Sequence, residues 1–116
     1  MLNSEVEFMT RANSKLNPLA PHSGIILLGN NGFEFRSEKS PGFIQIPWSS
    51  IVEVRVQIFF NGIYVRGFFI RTDEEQEFEF IVSDAKETLR NMRKHLNREQ
   101  FVRQASNLAQ VFKRKK

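Results

Sequence analysis

The residues of this chain that could do chemistry are its two histidines and a run of carboxylates. His22 follows Pro21 in a predicted loop, and His95 stands beside Leu96 in a basic segment. A histidine that acts as a general base or accepts a phosphoryl group needs a partner within hydrogen-bonding distance, and no spacing in the chain indicates one. We therefore expect His95 to be a solvated surface residue, and we predict no phosphoacceptor role for His22.

Other sequence patterns that could hold a metal or a phosphate are weak. The carboxylates between Asp73 and Glu79 fall in a predicted turn and on an exposed strand face, where they solvate the surface. The chain has no cysteine and no spaced histidine pair, so the usual zinc sites are excluded. The GNNG run at 29–32 lacks the Lys-Ser/Thr end and the following helix of a phosphate loop. The sequence thus predicts a non-enzymatic protein with no catalytic residues, metal or cofactor.

Charge is distributed unevenly along the chain. Residues 1–82 carry seven Lys/Arg and ten Asp/Glu, whereas residues 83–116 carry ten and three. Such a basic segment can meet phosphate in nucleic acid, phosphate in lipid, or an acidic protein face. Nucleic acid is not favoured, because the aromatic residues of this segment fall on its apolar stripe and not beside its charges. The basic end, which is the candidate anion or membrane contact, consists of Lys113, Arg114, Lys115 and Lys116.

The element that must position any site is a long β-hairpin. Residues 51–72 alternate apolar and polar side chains on both sides of Asn61-Gly62, the pair best suited to a two-residue turn with positive φ. That turn predicts Phe59 opposite Tyr64 and Ile58 opposite Val65. The core face predicted by alternation contains Val52, Val54, Val56, Ile58, Phe60, Ile63, Val65 and Phe69.

The opposite face of this hairpin has an unexpected apolar content. Beside polar residues it holds four large apolar residues, which form a candidate partner-binding patch: Phe59, Tyr64, Phe68 and Ile70. They need a cover, which is either a later segment of the chain, a partner, or a second copy of the chain. A slip of one residue in the register would exchange the two faces.

The rest of the chain predicts short strands followed by helix. Strands are predicted at 5–11, 24–29, 33–36, 43–46 and 77–82, and Trp48, just after Pro47, is predicted to be core. A helix follows from Asp84 to about Leu96, with Asp84 and Glu87 at capping-box spacing and an apolar stripe of Ala85, Leu89, Met92 and Leu96. A weaker helical stretch covers 98–112, with Phe101, Ala105, Leu108 and Phe112 on its stripe.

The predicted fold is mostly β (α+β): a pleckstrin-homology-like or GRAM-like barrel of about seven antiparallel strands with a C-terminal helix. Another small β-barrel and an α+β roll are the alternatives. We predict a single domain, with residues 1–96 forming the barrel and capping helix and residues 97–116 a basic helical extension. No apolar run is long enough to span a bilayer and the N-terminus lacks signal-peptide features, so we expect a cytoplasmic protein.

Two short strings, GFEF at Gly32–Phe35 and IQIPW at Ile44–Trp48, resemble a known family. It is the domain-of-unknown-function family 956, small accessory proteins encoded with mannose-family phosphotransferase-system (PTS) permeases of Gram-positive bacteria. The resemblance covers nearly the whole chain, although His22 departs from the pattern. It implies a GRAM-like fold and an accessory role with the permease, and it supplies no catalytic residues.

We therefore expect a non-enzymatic accessory or regulatory protein of a mannose-family PTS sugar permease that acts by protein–protein contact. One alternative is a module that binds anionic lipid at the inner face of the membrane. Another is a DNA-contacting regulator of a sugar-transport operon. Raised salt separates them, because binding to phosphate weakens steeply with ionic strength.

Overall fold

A computed structural model of the protein describes residues 2–15, 22–38 and 43–104, which form one mostly β unit. Seven strands come first in the chain. They are β1 (Val6–Ser14), β2 (His22–Gly29), β3 (Gly32–Ser37), β4 (Phe43–Pro47), β5 (Ile51–Phe59), β6 (Tyr64–Thr72) and β7 (Glu77–Val82). Helix α1 (Ala85–Met92) and a short strand β8 (Phe101–Arg103) follow, and 3-10 turns lie at Trp48–Ser50 and Arg98–Gln100.

The strands form one eight-stranded sheet in the order β4-β3-β2-β1-β7-β6-β5-β8. Neighbouring strands in this order pair antiparallel except β5 and β8, and β1 pairs with both β2 and β7. The prediction of a mostly β chain with a helix after the last long strand is confirmed. Among the described residues there are eight strands and not about seven, because β8 adds to the free edge of β5 in parallel.

The main hairpin has the predicted register next to its turn and a different one further away. Phe59 lies opposite Tyr64 and Ile58 opposite Val65, as predicted. A register shift follows, because Gln57 pairs with Gly67 and leaves Arg66 as an extra residue in β6. Since side chains alternate along a strand, one extra residue exchanges the faces of all residues beyond it.

This bulge corrects the predicted partner-binding patch. Phe68 and Ile70 are fully buried, so the four residues Phe59, Tyr64, Phe68 and Ile70 do not form one outer surface. Phe69, predicted to be core, instead lies on the outer face with its ring 4.9 Å from the Arg55 guanidinium carbon.

Three other residues of the predicted core face are exposed. A second register shift, between Ile51 and Glu53, places Val52 at the surface. Phe60 and Ile63 belong to the loop and not to the strands, and both are exposed. The predicted core residues Val54 and Val56 are buried.

The centre of the core is a cluster of phenylalanine rings from β3, β6 and β7. Phe33, Phe68 and Phe80 are fully buried, and the ring centroids of Phe33 and Phe80 are 5.0 Å apart. Phe68 lies 6.2 Å from Phe33 and 6.1 Å from Phe80. These tilted and edge-to-face pairs are the arrangements that aromatic quadrupoles prefer. These three phenylalanines therefore contribute to the packing of the core.

Helix α1 packs on the sheet through the predicted stripe. Ala85, Met92 and the following Leu96 are buried, and Leu89 is half-buried. The α-helix ends at Met92, earlier than predicted, and the chain continues in turns to Leu96. The predicted capping box is wrong, because the Asp84 side chain makes no capping hydrogen bond.

The prediction of a second helix is wrong for residues 98–103. Asn97 and Gln100 form a capping box on a single 3-10 turn, and Phe101–Arg103 then pairs with β5. The Gln100 Nε2 donates to the Ile51 carbonyl at 2.8 Å, and the Gln104 backbone N–H donates to the Val56 carbonyl at 2.8 Å. These bonds satisfy part of the edge of β5, which outweighs the weak helical pattern. The remaining predicted stripe, Ala105, Leu108 and Phe112, lies outside the described residues.

Trp48 and His95 close one end of the core. Trp48 is 9% exposed, in agreement with the prediction, and its Nε1 donates to the Gly29 carbonyl at 2.9 Å. The His95 ring stacks on the indole with a centroid distance of 4.7 Å, and its Nε2 lies 2.7 Å from the Glu7 Oε1. His95 is thus a packed residue, and the prediction of a solvated surface histidine is wrong. No helix in the described part of the chain is long and apolar enough to cross a membrane.

Candidate functional site

The structure places the four residues of the predicted patch in two different environments. Phe59 and Tyr64 form a cross-strand aromatic pair with ring centroids 6.4 Å apart, whereas Phe68 and Ile70 are core. The predicted anion contact, Lys113, Arg114, Lys115 and Lys116, lies outside the described residues. The aromatic pair is therefore the part of the predicted patch that remains available for contact.

A surface groove of about 400 Å³ lies against Tyr64 of this pair. Its walls come from β1, β2, β6, β7 and the residues just after β3 and β7. Arg11 and Glu38 form an ion pair across it at 3.0 Å, and the Ser23 Oγ donates to the Asn13 Oδ1 at 2.8 Å. The residues with polar side chains that line the groove are Arg11, Asn13, Ser23, Glu38, Tyr64 and Ser83.

The serine in the groove is not arranged for nucleophilic attack. The Ser23 hydroxyl donates to an amide oxygen, which cannot accept a proton as a general base does. Its cation and its carboxylate, Arg11 and Glu38, neutralise each other. The groove therefore offers mixed polar groups beside one tyrosine, a combination common at protein interfaces.

The residues singled out for chemistry lie apart from one another. His22 begins β2 and is exposed. Of the carboxylates between 73 and 79, Glu77 pairs with Arg55 at 2.6 Å and the Glu79 Oε2 accepts from the Gln57 Nε2 at 2.8 Å. Within the described ranges, no group of three His, Cys, Asp or Glu side chains could hold a metal ion.

The two strings that resemble a family meet in space. Gly32 pairs with Pro47, Glu34 with Gln45, and Phe35 with Ile44 across β3 and β4. The Glu34 carboxylate is 1% exposed and accepts hydrogen bonds from the Gln45 Nε2 at 3.0 Å and from the Asn3 Nδ2 at 2.9 Å. The Asn3 Oδ1 in turn accepts from the Gly32 backbone N–H at 2.8 Å. The strings thus form a clamp that ties the N-terminal segment to the β2–β3 turn.

The Glu34 carboxylate is held in its charged form by this clamp. Burial alone would raise its pKa, but the hydrogen bonds from Gln45 and Asn3 together lower the pKa below the ordinary value. A folded-state pKa below the unfolded one contributes stability above the unfolded pKa. That stability is lost as the pH falls through the folded-state pKa.

We expect Glu34→Gln to lower the free energy of unfolding at neutral pH by about 1–3 kcal/mol. The substitution replaces a carboxylate oxygen by an amide NH2 group, which would face the NH2 groups of Asn3 and Gln45 that donate to Glu34. Urea unfolding of both proteins at neutral pH and near pH 3, below the usual glutamate pKa of about 4.3, measures the effect. The difference between the proteins should shrink in acid. Glu99→Gln, at an exposed position, is the control and should change stability by less than about 0.5 kcal/mol. Equal stability of Glu34→Gln and wild type at neutral pH would contradict the clamp.

The sequence patterns did not point to the groove. Its residues are separated by up to 72 positions, from Arg11 to Ser83, and no periodicity joins them.

One signal in the sequence was available for the hairpin loop. Asn61-Gly62 must be exposed in its turn, so the apolar residues on either side of it, Phe60 and Ile63, lie at the tip and not in the core face.

Comparison with solved structures shows a shared fold at low sequence identity. The C-terminal domain of an unknown protein from Leishmania infantum is similar with a TM-score of 0.66 and 8% identity, over 78% of this chain and 82% of that one. The N-terminally truncated linker-DH/PH domains of p115-RhoGEF are similar with a TM-score of 0.55 and 10% identity. That likeness covers 76% of this chain and 27% of the other. No curated protein matches the chain in sequence.

A family model, described as a domain of unknown function (DUF956), matches residues 1–116, the full length of the chain. The GFEF and IQIPW strings that carried the resemblance form the Glu34 clamp within this matched length. The protein therefore belongs to the DUF956 family.

Proposed function

We propose that this protein is a non-enzymatic accessory protein of a mannose-family PTS sugar permease and acts by direct contact with permease protein. The permease as partner comes from the family resemblance of the GFEF and IQIPW strings. The observation that carries a contact function is the Phe59–Tyr64 pair beside the polar groove. Tyr64 is 49% exposed, and exposed aromatic residues next to arginine are typical anchors of protein interfaces.

We further propose that the fold is of the pleckstrin-homology-like, GRAM-like type. The seven antiparallel strands β1 to β7 followed by a helix support this, since that is the layout predicted for the barrel. The likeness to a structure that contains a PH domain is consistent with it. Folds of this kind host many functions, so the fold supports a binding scaffold and names no ligand.

We expect a Tyr64→Ser, Arg11→Ser variant to retain at least about tenfold less permease than wild type, since it removes an aromatic anchor and a cation from one interface. The tagged proteins are used to capture detergent-solubilised membranes of the host, and permease subunits are quantified by mass spectrometry. Val52→Ser is the control, because Val52 is 40% exposed at the opposite end of the hairpin.

Salt then separates the proposed contact from binding to phosphate. Retention by wild type should persist at raised ionic strength, whereas binding to DNA or anionic lipid weakens steeply. The proposal fails if wild type retains no permease subunit. If the double variant retains as much as wild type, the groove is not the contact site.

A further inference from the structure

The tip of the main hairpin, Phe60–Ile63, is exposed and apolar. Phe60 and Ile63 are 74% and 75% exposed, more than any other large apolar residue of the described chain. A Cβ atom added to Gly62 would meet nothing within 4 Å. The Gly62 side of the tip therefore faces open space.

The backbone of the tip is held in an unfavourable conformation. Phe60 has a φ of 55°, in the left-handed region that bulky residues rarely adopt. The Ile63 backbone N–H donates to the Phe60 carbonyl at 3.2 Å, and the Lys86 Nζ donates to the Ile63 carbonyl at 3.1 Å. Strain of this kind persists where surrounding contacts impose it, and it is concentrated at functional positions. The Phe60 ring pairs with the Phe59 ring at a centroid distance of 6.5 Å but is 74% exposed, so burial does not account for this conformation and a binding role does.

The charge of the hairpin around its tip has one sign. From Val54 to Thr72 the hairpin contains three arginines and no acidic residue. Arg55 and Arg71 pair with carboxylates at the far end of the hairpin, such as Glu53. Neither Arg66 nor Lys86 pairs with a carboxylate in the described part of the chain. An apolar tip flanked by free cations is complementary to an anionic surface with an apolar interior.

We propose that the hairpin tip inserts Phe60 and Ile63 into the head-group region of an anionic lipid bilayer, with Arg66 and Lys86 close to the lipid phosphates. This region accepts aromatic and aliphatic side chains together with the polar backbone of a turn. Cations beside an anionic leaflet add attraction that falls off with salt. The contact is with lipid and uses the tip, whereas the proposed permease contact uses the groove.

Flotation with protein-free vesicles tests this contact. Wild type should float with vesicles of phosphatidylcholine and phosphatidylglycerol, and less with phosphatidylcholine alone. A Phe60→Gly, Ile63→Ser variant should partition about 10- to 100-fold more weakly, because it loses two apolar side chains. Its thermal midpoint should be unchanged or higher, since glycine adopts positive φ without strain. Phe43→Ser is the matched control, because Phe43 is 61% exposed on β4, away from the tip.

Three outcomes would overturn the proposal. They are wild type failing to float with anionic vesicles, the double variant floating as well as wild type, and Phe43→Ser losing as much binding as the double variant. If wild type binds solubilised permease through Phe60 and no vesicle, the tip is a protein contact and the lipid proposal is wrong. Tyr64→Ser should keep vesicle binding, which separates this test from that of the permease contact.

Discussion

Replacing Trp48 with alanine is expected to lower the free energy of unfolding by about 3–5 kcal/mol, the usual cost of deleting a large buried aromatic residue. The indole is 9% exposed, donates to the Gly29 carbonyl at 2.9 Å and stacks on His95. Its removal leaves a cavity, an unpaired carbonyl and an unsupported imidazole. Urea unfolding at neutral pH measures the loss.

A Trp48→Phe variant separates packing from the hydrogen bond. It keeps an aromatic ring against His95 but loses the Nε1 donor, so we expect a smaller cost than for Trp48→Ala. An unfolding midpoint of Trp48→Ala equal to that of wild type would mean that the ring does not close the core.

Replacing Phe68 with alanine should cost about 3–5 kcal/mol, whereas Phe69→Ala should cost clearly less. Phe68 is fully buried between Phe33 and Phe80. Phe69 lies on the outer face with the Arg55 guanidinium over its ring. Its side chain is only half-buried in the folded protein. Paired unfolding curves of these two variants measure the difference.

The pair of variants also tests the bulge at Arg66. A regular hairpin from the Asn61-Gly62 turn onward would put Phe69 in the core and Phe68 outside. The order of the two costs would then be reversed. Phe59→Ala provides a reference for the outer aromatic pair, which is half-buried, and should cost less than Phe68→Ala.

Local chemistry in the sequence was sufficient for the elements and for the end of the main hairpin. Asn61-Gly62 located the turn and the pairing of Phe59 with Tyr64, because only such residues adopt positive φ at low cost. Alternation located the strands, and the spacing of Ala85, Met92 and Leu96 located the buried stripe that begins on α1. These features depend on residues only a few positions apart, and they can therefore be predicted from a single sequence.

Features that depend on distant partners were not predictable. The extra residue Arg66 is accommodated only because β6 must pair with β5 on one side and β7 on the other. Strand β8 forms because β5 has an edge with free backbone groups, which the weak helical pattern of 98–103 cannot reveal. The groove joins Arg11, Glu38 and Tyr64 through the sheet order alone.

The sequence by itself determined where the main hairpin turns, the approximate positions of β1 to β7 and α1, and that its C-terminal part is basic. Only the tertiary structure decided which face of β6 is core, which aromatic residues remain exposed, and that Glu34 is buried as a charged clamp. The physical reason is that the periodic pattern of apolar residues is a local property of a segment, whereas the burial of each side chain depends on the register of its strand. Register is set by the pairing partners of each strand. A single extra residue in one strand shifts the register and moves every later side chain to the opposite face of the sheet.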